Sequence, residues 1–256
     1  MRGLMPTFSI VRRSQSIKAV VLLSCVMILA VLLGSAFLLF DLHNRELTHA
    51  KGEIASLSRI LSEQTTRAFD GVSLSMRGAR ERLSDDFGRH LELDSAPVRL
   101  LLQSRVGGLP QAKSMFLVDR DGMVVNSSRK DFSSPFSVAQ RTFFRHFAQN
   151  SDDELFISRP EQAHIDNQWT FYLGIRLLDP SGKFRGVLVA AINVDYFESL
   201  YESINLDFVS RILLLNRDGI LMAGQHHGHS GLGESFIDPV ELEQIRAEAR
   251  SEFVMS

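Results

Sequence analysis

A ten-residue phrase occurs twice in this chain. Phe116-Leu-Val-Asp-Arg-Asp-Gly-Met-Val-Val returns 97 residues later as Leu213-Leu-Leu-Asn-Arg-Asp-Gly-Ile-Leu-Met. Each copy reads as an apolar strand, a tight Asx-Arg-Asp-Gly turn and a second apolar strand. A repeat at this spacing predicts two copies of a small sheet-based module instead of one large core.

The second constraint lies near the start. The composition is that of an ordinary globular protein, 45% apolar and 23% charged over 256 residues. Ala19 to Phe40 departs from it, with 22 consecutive residues that carry no charge. At 1.5 Å per residue a helix of that length spans about 33 Å, enough for the roughly 30 Å hydrocarbon layer. A cleaved signal peptide with Gly34-Ser-Ala36 as its cutting site is the competing reading. The run outlasts a signal core of about 7–15 residues and stays apolar past Ala36, which favours a retained anchor. Arg2, Arg12, Arg13 and Lys18 precede the run without a single acid. The positive-inside bias then puts the N-terminus in the cytoplasm and everything after Asp41 outside.

All 30 acids lie beyond the run, against 24 of the 28 Lys and Arg, so the outer part is near −6. That is too mild to call for nucleic acid or a membrane surface as partner. The only cysteine, Cys25, sits inside the apolar run. The exported part therefore has neither a disulfide nor a thiolate, and about 215 residues must be held by their core alone.

Residues 46–92 carry a helical stripe: Ile54, Leu57, Leu61, Ala68, Val72, Met76, Ala79, Leu83 and Phe87 recur at steps of three, four or seven. Two readings stand: packing on the sheet modules, or a coiled coil that makes a homodimer. A short helix is expected over Ala96–Arg105, stopped by Gly107-Gly-Leu-Pro110. The first hairpin should cover Ser114–Ser128, and a helix Val138–Asn150. Strand-like runs follow at Leu155–Ser158, Gln168–Leu178 and Phe184–Val194, the last two joined by the turn Asp179-Pro-Ser-Gly182. Asp195–Leu206 returns to helix, the second hairpin runs Arg211–Gly224, and Pro239–Ser251 has helical composition. The closing Glu252-Phe-Val-Met-Ser256 reads as another strand.

This order resembles the double Cache family of extracytoplasmic sensors. The resemblance is carried by the Phe116 hairpin through Ser128, Gln140-Arg-Thr-Phe-Phe-Arg145, Phe156-Ile-Ser-Arg-Pro160, Trp169-Thr-Phe-Tyr-Leu-Gly-Ile-Arg176 and Leu178 through Phe197. It covers residues 45–250 and is most like the form found in front of bacterial diguanylate cyclases and sensor kinases. It implies an α/β fold of two PAS-like modules, each with a central antiparallel sheet, behind a transmembrane helix and a long helix. The expected division is a cytoplasmic tail (1–18), a transmembrane helix (19–40), a long periplasmic helix (41–92), a membrane-distal Cache module (93–206) and the start of a membrane-proximal one (207–256). The second module is expected to be incomplete, and the output domain to lie outside this chain.

The resemblance implies a small ligand of the amino acid, carboxylate or amine class in the membrane-distal module. It points to Arg141, Phe144 and Asp195, and the strand pattern adds Tyr172 and Arg176 as a polar face with Trp169 at its rim. Arg141 precedes the aromatic pair at the expected start of a helix, where free N–H groups favour anions. Thr142 stands where the family commonly has an acid, and Phe144 where it commonly has Tyr. Strand alternation puts Tyr172, Gly174 and Arg176 on one face and Trp169, Phe171, Leu173 and Ile175 on the other. In amino-acid-binding members an acid at the position of Asp195 holds the ligand ammonium; the plain alternative is a helix N-cap. For the aromatic residues the alternative is core, and for the arginines surface charge.

No catalytic residues, cofactor or metal are expected. His226, His227 and His229 lack a nearby acid and a fixed helical spacing, so they read as a solvated loop. No phosphate loop, nucleophile elbow or triad is present. The expected action is binding; the rival is an interaction module that meets another envelope protein without a small ligand.

Overall fold

A computed structural model describes residues 10–85, 91–150, 154–163, 165–179, 181–204, 212–225 and 230–254. The chain divides into two units, residues 1–62 and 63–256. One helix, α1 (Ile10–Ser84), begins in the first and ends in the second.

In the first unit α1 is helical throughout the apolar run 19–40. Leu23, Met27, Ile28, Leu29, Val31, Leu32 and Leu33 are all exposed. The side chains of Cys25 and several neighbours lie outside the described residues. Among those described, no helix is long and apolar enough to cross a membrane.

The second unit is built on a seven-stranded sheet, all pairs antiparallel. Its strands are β1 (Ala112–Asp119), β2 (Met123–Ser127), β3 (Phe136–Ser137), β4 (Phe156–Ile157), β5 (Glu161–Gln162), β6 (Trp169–Leu178) and β7 (Phe184–Asn193). The spatial order is β3-β2-β1-β7-β6-β4, with β5 also on β6. Helix α2 (Ala96–Val106) precedes β1, α3 (Thr142–Gln149) lies between β3 and β4, and α4 (Val194–Glu202) follows β7.

Both faces of the central strands are buried, which explains why β6 and β7 read as near-continuous apolar runs. One face takes α1. Ala68, Val72, Met76, Ala79 and Leu83, spaced four, four, three and four apart, form its buried stripe. Phe69 stacks on Phe171 and Phe197 at 5.8 and 5.5 Å between ring centroids. Gln111 donates to the Ala68 carbonyl at 2.9 Å, and Ser75 Oγ to the Arg105 carbonyl at 2.7 Å, so polar groups also tie the helix to the approach to β1 and to α2. The other face carries Phe116, Val118, Tyr172, Val187, Val189 and Ala191, packed against Phe143, Phe144 and Phe147 of α3. The alternation read from the sequence along β6 thus holds in space.

The long helix ends at Ser84, eight residues short of the expected 92. Arg185 donates to the carbonyls of Leu83 and Leu91 at 3.4 and 2.8 Å, which draws the chain back to the sheet there. Residues 252–254 of the phrase expected to form a last strand instead continue helix α5 (Pro239–Val254), and 255–256 lie outside the described residues. Pro239 opens that helix, Asp238 Oδ1 accepts from the Val240 N–H at 2.8 Å, and Glu, Ala and Arg propagate it.

The repeated phrase forms two hairpins with the same wiring. Asp119 Oδ1 accepts from the N–H groups of Asp121 and Met123, each at 2.9 Å. Asn216 Oδ1 accepts from Asp218 and Ile220 at 2.8 and 3.0 Å. The glycines that follow, Gly122 and Gly219, sit at φ +82° and +75°, where a side chain would strain the turn. The Asp179 turn is a third copy: its Oδ1 accepts from Ser181 and Lys183 at 2.8 and 2.9 Å. The second copy joins β8 (Leu213–Leu215) to β9 (Leu221–Gly224), a separate two-stranded sheet that touches α4. His226, His227 and His229 fall outside the described residues.

Candidate functional site

The sheet face opposite α1 holds a cleft of about 610 Å³ of empty space, its open mouth included. Its floor is one row across three strands: Ser114 of β1, Ala191 of β7 and Tyr172 of β6 are register partners. Ala191 is the smallest of the three, so the floor dips between its neighbours. Phe116, Phe132, Phe136, Val138 and Phe143 make an apolar wall. Phe143 and Phe116 hold the Tyr172 ring at 5.1 and 6.1 Å.

Polar groups enter this apolar frame from several elements. Lys113 arrives through a bulge: the pairing of β1 with β7 skips it between Ala112 and Ser114. A bulge re-aims a side chain, so Lys113 and its neighbour Ser114 both line the cleft. The Lys113 ammonium donates to Gln168 Oε1, Thr170 Oγ1 and the Trp169 carbonyl at 3.0, 3.1 and 3.3 Å. Burial lowers its pKa, Asp166 and Asp195 hold it up, and Arg129 adds to the lowering. Arg129 grips Asp131 through two bonds of 2.9 and 2.7 Å and meets Asp166 at 3.5 Å; the Asp131 bond raises its pKa. Arg141, the residue before α3, pairs with Glu161 of β5 at 2.7 Å.

The six residues expected from the sequence divide in space. Arg141 and Tyr172 line the cleft together. Phe144 does not; it is core, 6.3 Å from the Phe184 ring, and Phe143 faces the cleft in its place. One residue along a helix is about 100° of rotation. Arg176 shares the Tyr172 face but lies at the far end of β6. It donates to the carbonyls of Phe147 (3.1 Å) and Asn150 and covers the Phe184 ring at 4.9 Å, so it caps the C-terminus of α3. The room left by Gly174 is filled from within: a Cβ there would stand 2.7 Å from the Phe147 ring. Trp169 is half-buried and reaches the site only through its carbonyl on Lys113. Asp195 acts on Lys113 by charge without lining the cleft. It is not an N-cap: Asn193 holds that position, and Asp195 is the second helical residue of α4.

Lys113, Arg129 and Asp166 were not singled out by the sequence reading. A lone lysine in the otherwise apolar opening of β1 is the signal that could have found the first. Among the described residues, no cluster of His, Cys, Asp or Glu could hold a metal ion.

The Tyr172 ring is buried among these groups, and its hydroxyl, open to the cleft, has no hydrogen-bond partner among the described residues. Its pKa is pushed up to about 12, first by burial, then by the charge of Glu161, against the pull of Arg141. A raised phenol contributes stability that is whole below its unfolded value near 10 and is lost as pH climbs to the folded value. Two units correspond to about 3 kcal/mol. Tyr172→Phe should therefore remove a loss of about that size between pH 10 and 12. Urea titrations of both proteins across that range measure it; parallel profiles would show that Tyr172 does not titrate there. Tyr201, also raised by burial, contributes equally to both.

A long helix laid on an antiparallel sheet, with a small polar-and-aromatic cleft on the other face, is the architecture of a sensor domain. The chain belongs to the Cache domain family, whose model matches residues 42–248. Among solved structures it is similar to the extracellular domain of the histidine kinase rpHK1S-Z16, at 27% identity and TM-score 0.68, covering 77% of this chain and 79% of that one. It also shares its fold with an extracellular ligand-binding receptor from Desulfohalobium retbaense, at 18% identity and TM-score 0.58, covering 72% of this chain and 32% of that one. The ligand-binding domain of the Pseudomonas aeruginosa amino acid chemoreceptor PctC, solved with GABA, is similar at 13% identity and TM-score 0.51, covering 66% and 72%. No functionally curated protein matches the chain.

Proposed function

We propose that this chain is the membrane-anchored sensor region of a receptor. Its cleft takes a small ligand of the amino acid, carboxylate or amine class, and binding is passed through α1 to a cytoplasmic output domain of kinase or cyclase type. The observation that carries the reading is the cleft: Arg141 and Tyr172 converge with Lys113 inside an aromatic wall, the mix of a few polar groups in an apolar frame that small-molecule sites require. The anchor is the run 19–40, whose exposed Leu, Met, Ile and Val side chains need an apolar surrounding that water does not supply. Its orientation, basic tail inside and bulk in the periplasm, follows from the flanking charges. Residues 207–256 are the start of a second, membrane-proximal module.

The mechanism is a shift of populations: ligand favours one arrangement of sheet and helix over another. A thermal-shift screen of the full chain in detergent tests the binding step. Amino acids, carboxylates and amines form the panel. A ligand at 100 times its Kd adds about 2.7 kcal/mol. Arg141→Ala and Tyr172→Ala should each abolish that gain. A panel without one stabilising compound would turn the reading toward a protein-interaction module.

A further inference from the structure

The hydrogen-bonding groups of the cleft differ in one respect that bears on its ligand. The acids beside it are already engaged. Asp166 Oδ2 faces Arg129 at 3.5 Å, and its Oδ1 accepts from the Gln168 N–H at 3.1 Å. Asp131 takes two bonds from Arg129. Glu161 gives one oxygen to Arg141; the other is buried without a donor, and Glu161 does not line the cleft. Asp195 does not line it either. The donors are in the opposite condition. Arg141 commits one Nη to Glu161, and the rest of its guanidinium has no protein partner among the described residues. The Tyr172 hydroxyl is unpartnered too. Lys113 bonds only neutral oxygens, so no carboxylate touches its charge.

We propose that the cleft selects an anion without an ammonium group: a monocarboxylate on an apolar body. Its oxygens would meet the open edge of Arg141 and the Tyr172 hydroxyl, and its body the Phe116, Phe132, Phe136 and Phe143 wall. A planar guanidinium suits a carboxylate through two parallel bonds. An ammonium would lose its water where Asp166, the carboxylate that lines the cleft, is already shared between Arg129 and the Gln168 N–H, and would stand near the Lys113 charge. The lowered pKa of Lys113 agrees with this, because a bound anion relieves the penalty that burial imposes. The inference rests on the ligand-binding reading above and narrows it.

Three compounds with one body separate the alternatives: 3-phenylpropanoate, phenylalanine and 3-phenylpropylamine. Calorimetric titration of the full chain in detergent should find 3-phenylpropanoate at least about tenfold tighter than phenylalanine, with no binding of the amine. Arg141→Gln should weaken the acid by at least about tenfold. Tyr172→Phe, which keeps the ring's shape, should weaken it about three- to tenfold. Phenylalanine or the amine binding as well as the acid would overturn the inference and leave the ligand-binding reading intact. So would binding only by other members of the panel that carry an ammonium. Failure of all three compounds and of the whole wider panel would sink both.

Discussion

Phe171→Ala is expected to destabilise the sensor unit by about 3–5 kcal/mol, the range for emptying a large aromatic from a closed core. The ring is fully buried and makes two aromatic contacts, with Phe69 of α1 at 5.8 Å and Phe197 of α4 at 6.1 Å. Its removal leaves a void between the sheet and both helices that the paired strand cannot collapse to fill. For a unit of this size each kcal/mol moves Tm by about 2–4 °C, so a drop of roughly 6–20 °C should appear by calorimetry. Phe171 faces away from the cleft, and the variant should keep its ligand affinity at temperatures where it remains folded. A change below about 1 kcal/mol would show that α1 is not cemented to the sheet at this point.

Gly186→Ala should be at least as damaging, about 3 kcal/mol or more, for a different reason. Gly186 has φ +154°, and a Cβ placed there would lie 2.1 Å from the Val118 carbonyl oxygen. That oxygen belongs to the backbone of β1, which cannot turn aside as a flexible side chain would. Gly186 pairs with Asp119 on one side and Leu177 on the other, so any shift opens both ladders. Gly182, in the turn just before, is the control. It too has positive φ, but nothing lies within 4 Å of its Cβ position. Gly182→Ala should cost only about 1 kcal/mol. Urea titration of the two variants decides the matter; equal losses would mean that φ alone, and not the collision with β1, sets the cost.

The turns and the long strands were legible because their chemistry is local; the two-residue strands β3 and β5 were not. An Asx oxygen two and four residues before the N–H groups it accepts, with glycine after, is written within five positions. The alternation of β6 was legible for the same reason, and it placed Tyr172 and Phe171 on opposite faces. The cleft was only partly legible. Arg141 could be named because the resemblance points to it, and Tyr172 because strand alternation sets it on the polar face. Lys113 could not, because it lines the cleft through a bulge, and a single skipped residue is invisible to a period of two. Asp166 and Arg129 meet across 37 positions of chain, which no local pattern records. Phe144 and Phe143 exchanged roles because the start of a short helix must be known to one residue before its faces can be assigned. Arg176 was placed on the right face but too far along the strand, where the end of α3 claims it. The tail after residue 250 read as a strand from three apolar letters; the helix started at Pro239 carries through Phe253 and Val254.

Tyr172 and Phe171 are consecutive residues. One ring forms the bottom of the binding hollow and the other is clamped to the long rod, with a single peptide unit between them. That peptide works as a fulcrum: whatever tilts the phenol by moving its own main chain must tilt the neighbouring ring, and the rod leaning on it. Under the proposed reading, reception and transmission would then need no relay of intermediate side chains.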